Sequence, residues 1–343
     1  MNKFSIGVDL GGTNLRIAAV DDQGTLIEKV TLGTKVQRGR DQVLADMCDS
    51  IQHLSDKYRD SAPLVGIGIG VPGIIDMQTG LVRESPNLPD WVDYPARANI
   101  EQCLKTVVIL ENDANVAALG EKWLGAAKDY ADVAMLTLGT GVGGGLVMGG
   151  NIWRGANGMA GEFGHTTVEP NGHLCGCGNL GCLEQYASAT AMVRLAREAI
   201  ASNSKSTMAL AAGSDPEFSA KSLYNLAIQG DEEARGIFRY VGRCLGIVLS
   251  AMVNSLNLPI YVIGGGASSA WEAFAPAMYA ELRKRSLVYA ATAPPEPNAS
   301  REGASAHVKS GPGHKTIVTR ALLGSDAGLY GAARLPMLAE VKR

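Results

Sequence analysis

Cys175, Cys177 and Cys182 crowd the stretch HLCGCGNLGCLE (173–184) of a 343-residue chain that has six cysteines in all. The first two, in a Cys-x-Cys arrangement, stand too close for comfortable disulfide geometry. Met1–Val20 interleaves Lys3, Asp9, Asn14 and Arg16 with its apolar residues, so it reads as neither a secretion signal nor a membrane span, and a reducing, cytoplasmic setting is expected. Metal binding is then the leading use of the three thiols. Zinc takes tetrahedral sulfur and nitrogen ligands, and an imidazole would complete a closed structural site. His165 and His173 both lie close enough along the chain to serve, and spacing alone does not choose between them.

A second chemical pattern is DLGGTNLR (9–16), where Asp9 ends an apolar run. Gly11 and Gly12 let backbone N–H groups approach an anion, and the side chains of Thr13 and Asn14 can donate to phosphate oxygens. The pattern lacks the Gly-Lys-Ser/Thr of a Walker loop and the helix that follows a dinucleotide fingerprint. A related turn, LGTGVGGG (138–145), carries Thr140 and Gly141. Together the two suggest a duplicated phosphate-binding hairpin, with two halves facing one another across a cleft. A bulky residue at Gly12 or Gly141 is expected to block the approach of phosphates to these turns. The third pattern is LENDAN (110–115). Asp113 follows a buried strand and opens a helix, so it reads either as a helix cap or as a carboxylate that accepts a proton from a substrate hydroxyl.

The elements that must position these residues are legible. FSIGVDLGGTNLRIAAVD (4–21) and VAMLTLGTGVGGGLVMGG (133–150) read as strand, glycine turn and strand. Residues 40–59 place Val43, Leu44, Met47, Ile51, Leu54 and Tyr58 at helical spacing, and 64–76 and 106–113 read as buried strands. Helices are expected over 187–202, 231–257 and 269–285, with a further buried strand and glycine turn at 260–268. This alternation predicts an α/β fold with a parallel or mixed sheet. Residues 292–314 are almost without apolar side chains and read as a surface loop.

Composition narrows the partners. The chain is 46% hydrophobic and 19% charged, and its 31 basic and 34 acidic residues leave a net charge of −3. That balance offers no broad positive field for nucleic acid. No uninterrupted apolar stretch approaches the roughly 18 residues of a membrane span. Small molecules are the expected partners.

GEFGH (161–165), CGCGNLGCLE (175–184), DLGGT (9–13) and LENDAN (110–115) together resemble the ROK family, over about residues 5 to 335. That family holds bacterial sugar kinases and sugar-responsive repressors. The resemblance implies an actin/hexokinase-like (ribonuclease H-like) duplicated α/β fold with a central ligand cleft. Its division is expected at 1–115 and 116–343, with the C-terminal helix packing back on the first domain. It also implies ATP-dependent phosphorylation of a hexose 6-hydroxyl with Mg²⁺, and a structural Zn²⁺ held by His165, Cys175, Cys177 and Cys182. Asp113 would be the catalytic base, with Gly73, Asn87, Asn112, Glu162, His165 and Glu184 on the sugar. Asp9, Gly11, Gly12, Thr13, Asn14, Thr140, Gly141, Gly265 and Gly266 would serve the nucleotide.

LENDANVAALGEKWLGA is more similar to the family's glucose-phosphorylating members than to its N-acetylhexosamine or fructose kinases, which makes glucose the expected sugar. Mannose, glucosamine and N-acetylated sugars are the alternatives. A homo-oligomer, dimer or tetramer, is expected. The family's repressors carry a helix-turn-helix before the first glycine turn, and the eight residues ahead of Asp9 are too few for one. A sugar-binding regulator is therefore the lesser expectation.

Overall fold

The computed structural model describes residues 2–294 and 315–341; the loop expected at 292–314 lies outside the described residues from 295 onward. Two compact units emerge, one of Met1–Met135, Gly145–Gly161 and Leu322–Arg343, the other of Leu136–Gly144 and Glu162–Ala321.

In the first unit β1 (Phe4–Leu10), β2 (Asn14–Asp21) and β3 (Leu26–Gly33) form an antiparallel meander. The chain then crosses through α1 (Arg40–Tyr58) to β4 (Leu64–Val71), which runs parallel to β1. A short hairpin, β5 (Ile74–Asp76) and β6 (Leu81–Glu84), and α2 (Ala96–Leu104) lead to β7 (Val108–Asn112), parallel to β4. The sheet order is β3-β2-β1-β4-β7. β1 is apolar along almost its whole length because both its faces are covered. Phe4, Ile6 and Val8 share a core with Val43, Met47, Ile51 and Leu54 of α1. On the other face lie α3 (Asp113–Trp123) and the C-terminal helix α11 (Ala327–Val341). A Cβ at Gly7 would stand 2.3 Å from the Leu329 carbonyl oxygen, and one at Gly68 only 1.9 Å from that of Ala332. Glycine at these two strand positions is what lets α11 come down onto β1 and β4.

The second sheet repeats this order in β10 (Asn151–Ile152), β9 (Val142–Met148), β8 (Val133–Leu138), β11 (Ile260–Gly264) and β12 (Ile317–Arg320). The duplicated hairpin read from the two glycine turns is thus present as β1–β2 and β8–β9. The chain leaves the first unit inside β8 and re-enters it inside β9, and α3 and α11 pack with the first sheet.

The second unit also holds α4 (Glu184–Ala187), α5 (Ala189–Ser202), α6 (Thr207–Ser214), α7 (Ala220–Ile228), α8 (Glu232–Leu256), α9 (Trp271–Arg285) and α10 (Leu287–Thr292). Among the described residues α8 alone is long and apolar enough to cross a membrane, yet 67% of its apolar stretch is buried within the protein. Val241, Leu245, Val248 and Leu249 are among its buried residues, so its apolar face is spent on the core of this unit.

Candidate active site

In the first unit the expected residues begin at the β1–β2 turn. Gly11 N–H donates to the Asn14 carbonyl (2.9 Å), Thr34 Oγ1 donates to the Gly11 carbonyl (2.6 Å), and Thr34 N–H donates to the Thr13 carbonyl (2.9 Å). The turn's carbonyls are drawn back into the fold, and Thr13 is exposed. Asp9 is paired with Arg16 at 3.1 Å, but burial outweighs the arginine and raises its carboxyl above the ordinary aspartate value. A Cβ on Gly12 would lie 3.0 Å from Asn87 Cβ, so the turn and the SPNLPDW segment that carries Asn87 are in direct contact.

β7 ends at Asn112, and α3 begins with Asp113. The cap of that helix is Asn112, whose side-chain oxygen accepts from the N–H groups of Ala114 (2.9 Å) and Asn115 (3.2 Å). The cap role that the sequence offered to Asp113 thus belongs to its neighbour. Asn112 Nδ2 donates to the Gly73 carbonyl at 3.2 Å, which joins two of the expected sugar residues. Gly73 has φ +105°, and a Cβ there would meet the Glu84 carbonyl oxygen at 2.1 Å. Asp113 Oδ1 accepts from Ala114 N–H at 2.9 Å, at the N-terminus of α3.

In the second unit the β8–β9 turn carries Thr140 and Gly141, and it is tied to the start of α5. Ala189 N–H donates to the Gly139 carbonyl (2.8 Å), and Thr190 Oγ1 donates to that of Thr140 (2.9 Å). Glu184, first residue of α4, reaches this turn: its Oε2 accepts Val142 N–H at 2.9 Å. A Cβ on Gly141 would sit 2.4 Å from that same oxygen. Each glycine turn therefore touches a residue expected on the sugar, Asn87 in one unit and Glu184 in the other. A side chain at either glycine would therefore press on Asn87 or Glu184 as well as on the turn itself. Gly265 and Gly266 follow β11 in the turn that opens a short 3-10 helix.

The cysteines resolve together. All six in the chain are free thiols, and the ligand atoms of His165, Cys175, Cys177 and Cys182 all lie within 4.8 Å of one another. His165 Nδ1 is 3.6 Å from Cys175 Sγ, and Cys177 Sγ is 3.7 Å from Cys182 Sγ. A tetrahedral Zn–S distance of about 2.3 Å implies ligand-to-ligand edges of roughly 3.8 Å, which these spacings match. Burial pushes the Cys182 thiol up to about 12, while the Asn179 backbone N–H lowers Cys177 below the ordinary thiol value. A bound cation would supply the charge that ionises such sulfurs. His173 stands apart from the cluster, its Nε2 2.7 Å from Arg194 Nη1. His165 Nε2 points the other way, 3.8 Å from Glu162 Oε2.

Two contacts had no sequence signal strong enough to find them. Thr34 anchors the first turn from beyond β3. Arg154, which follows β10, pairs with Glu111, 43 positions away and 1% exposed. A glutamate at the apolar end of a buried strand was the one available hint.

The family model that matches this chain is that of the ROK family, over residues 5–337. A glucokinase of Thermotoga maritima is 41% identical over 83% of this chain and 87% of its own length. A xylose repressor of Caldicellulosiruptor bescii is 32% identical over 82% of this chain and 71% of its own. A solved ROK family glucokinase from Streptomyces griseus, in complex with glucose and AMPPNP, superposes with a TM-score of 0.77 at 32% identity, covering 97% of this chain and 98% of that one. The duplicated α/β sheets described above are the actin/hexokinase-like fold, and the chain belongs to the ROK family.

Proposed function

We propose that this protein is a glucokinase that transfers the γ-phosphoryl group of ATP to the 6-hydroxyl of glucose. The observation that carries the reading is Asp113, a carboxylate set at the carboxyl end of β7 by the Asn112 cap, in a chain 41% identical to a glucokinase. Asp113 accepts the hydroxyl proton as the 6-oxygen attacks the γ-phosphorus, and ADP leaves. Asn112, Gly73 and Asn87, with Glu162, His165 and Glu184, present the amides, carboxylates and imidazole that a polyhydroxyl ring requires. The turns at Gly11–Asn14 and Thr140–Gly141 offer N–H and hydroxyl donors to phosphates, and Gly265 and Gly266 serve the nucleotide as well. Mg²⁺ would neutralise phosphate charge, with Asp9 the carboxylate of the first turn.

His165, Cys175, Cys177 and Cys182 would hold Zn²⁺ as a closed four-ligand site, and its part would then be structural. Through Nδ1 it would fix the His165 ring, leaving Nε2 for a sugar hydroxyl. The relatives include a repressor as well as a kinase, so activity must be measured directly. Steady-state kcat/KM over glucose, mannose, fructose, glucosamine and N-acetylhexosamines is expected to be highest for glucose. Asp113→Asn is expected to bind glucose while losing on the order of 10²-fold or more in kcat. A variant with near wild-type turnover would overturn the role of Asp113, and a protein inactive on every hexose would overturn the kinase.

A further inference from the structure

Directly before the Asn112-Asp113 turn lies a buried carboxylate that the phosphoryl-transfer scheme leaves unused. Glu111 is 1% exposed, and its two oxygens do different work. Oε1 accepts the backbone N–H of Asn112 at 3.0 Å and the side-chain Nδ2 of Asn115 at 3.1 Å. Oε2 accepts both Nε and Nη2 of Arg154, at 2.7 and 2.6 Å. Both residues belong to the first compact unit.

The Oε1 bonds bracket Asp113. One holds the backbone N–H of the residue that precedes it, and the other holds the side chain two residues after it, on the first turn of α3. Asn115 gives its amide to Glu111 while its own buried Oδ1 has no hydrogen-bond partner among the described residues. A carboxylate with so little access to water remains charged only if a cation and hydrogen bonds compensate it. The arginine's planar fork supplies two charge-assisted donors in one geometry, and so fixes where Oε2, and with it Oε1, must sit.

We propose that Glu111 and Arg154 form a positioning pair that sets the Asn112–Asn115 turn, and through it the carboxylate of Asp113, against the reacting hydroxyl. The inference rests on the reading of Asp113 as the base. Neither residue touches the reacting atoms. Their effect falls on kcat, since a base moved by a fraction of an ångström loses its alignment with the hydroxyl while the sugar keeps its hydrogen bonds.

The test compares full-length wild type, Arg154→Lys, Arg154→Met, Glu111→Gln/Arg154→Met and Asp113→Asn, measuring kcat and KM for glucose with melting curves alongside. Arg154→Met is expected to lower kcat on the order of tenfold with glucose KM within about twofold, as misplacement of a catalytic group does. Arg154→Lys restores part of the loss, because the charge returns but the two-donor fork that fixes Oε2 does not. The neutral pair Glu111→Gln/Arg154→Met turns over faster than Arg154→Met alone, since no charge is left buried and unpaired.

Wild-type kcat in Arg154→Met overturns the proposal. So does a parallel loss of kcat, glucose affinity and melting temperature that lysine fails to rescue. If Arg154→Met does not fold, the neutral pair carries the test: lowered kcat at unchanged KM supports the positioning role, and wild-type kcat refutes it. Asp113→Asn separates the two readings. Full turnover there removes the base itself, whereas an inactive Asp113→Asn beside an unaffected Arg154→Met removes only the pair.

Discussion

At Gly141 a missing side chain leaves room for the carboxylate of Glu184. A Cβ at that position would meet Glu184 Oε2, the far end of a flexible side chain rather than backbone, so the fold can yield there at little cost. The carboxylate would then have to give up the Val142 N–H it accepts. Gly141→Ala is therefore expected to keep the melting temperature within a few degrees while weakening glucose binding by roughly tenfold, the scale of one charge-assisted hydrogen bond. Calorimetric titration with glucose in the absence of nucleotide measures it directly; unchanged affinity would show that Glu184 is not a sugar ligand. At this scale the sequence was partly legible. The Asn112-Asp113 turn stood out, but which of the two caps the helix could not be read, because asparagine and aspartate are both strong N-cap residues and the choice turns on a one-residue shift of the helix start. His165 could be preferred to His173 only through family resemblance, and the geometry agrees: one ring faces the sulfurs, the other an arginine.

Strands and helices were the most legible scale. Hairpins flanking glycine turns, the apolar stripe of α1 and the buried runs of β4 and β7 follow from period and composition, and they fall where those patterns place them. What period cannot show is which elements one motif ties together. The segment 162–184 carries Glu162 and His165 on a 3-10 turn, the three cysteines on a loop, and Glu184 at the head of α4. Cys175 Sγ lies 3.6 Å from His165 Nδ1 and 3.9 Å from Glu184 Oε1, so the cluster touches both ends of this segment. Bound zinc would hold them in one arrangement. Cys177→Ala, or removal of zinc by a chelator, is accordingly expected to weaken glucose binding by at least about tenfold, the scale of lost metal-site support, with a much smaller change in ATP binding. Metal analysis should return one zinc per chain for a closed four-ligand site. A fully active, zinc-free preparation would return the cysteines to the role of packed thiols.

For the molecule as a whole, the order in which the chain enters its two units matters more than any single contact. The first unit begins with β1 and is finished only by Leu322–Arg343, after the whole second unit has been traced. α11 covers a face of β1 and β4 that has been pared down to backbone: Gly7 and Gly68 leave the Leu329 and Ala332 carbonyls room, and Ala332 and Ala333 are fully buried. Nothing in the composition of β1 announces a helix more than three hundred positions away, although glycines inside a buried strand do announce a close approach. Without α11 this face and the buried side of α3 would be open to water. A chain ending at Ala321 is expected to be aggregation-prone, without a cooperative melting transition and without kinase activity, even though it retains Asp113, the four zinc-cluster residues and both glycine turns. In the full-length chain, Gly68→Val should reproduce much of this loss, at several kcal/mol, because its Cβ would stand 1.9 Å from a backbone oxygen that cannot move alone. Circular dichroism melts and glucose phosphorylation assays on both variants measure the effect. A truncated chain that melted cooperatively and phosphorylated glucose would show that the first unit is complete without its last helix.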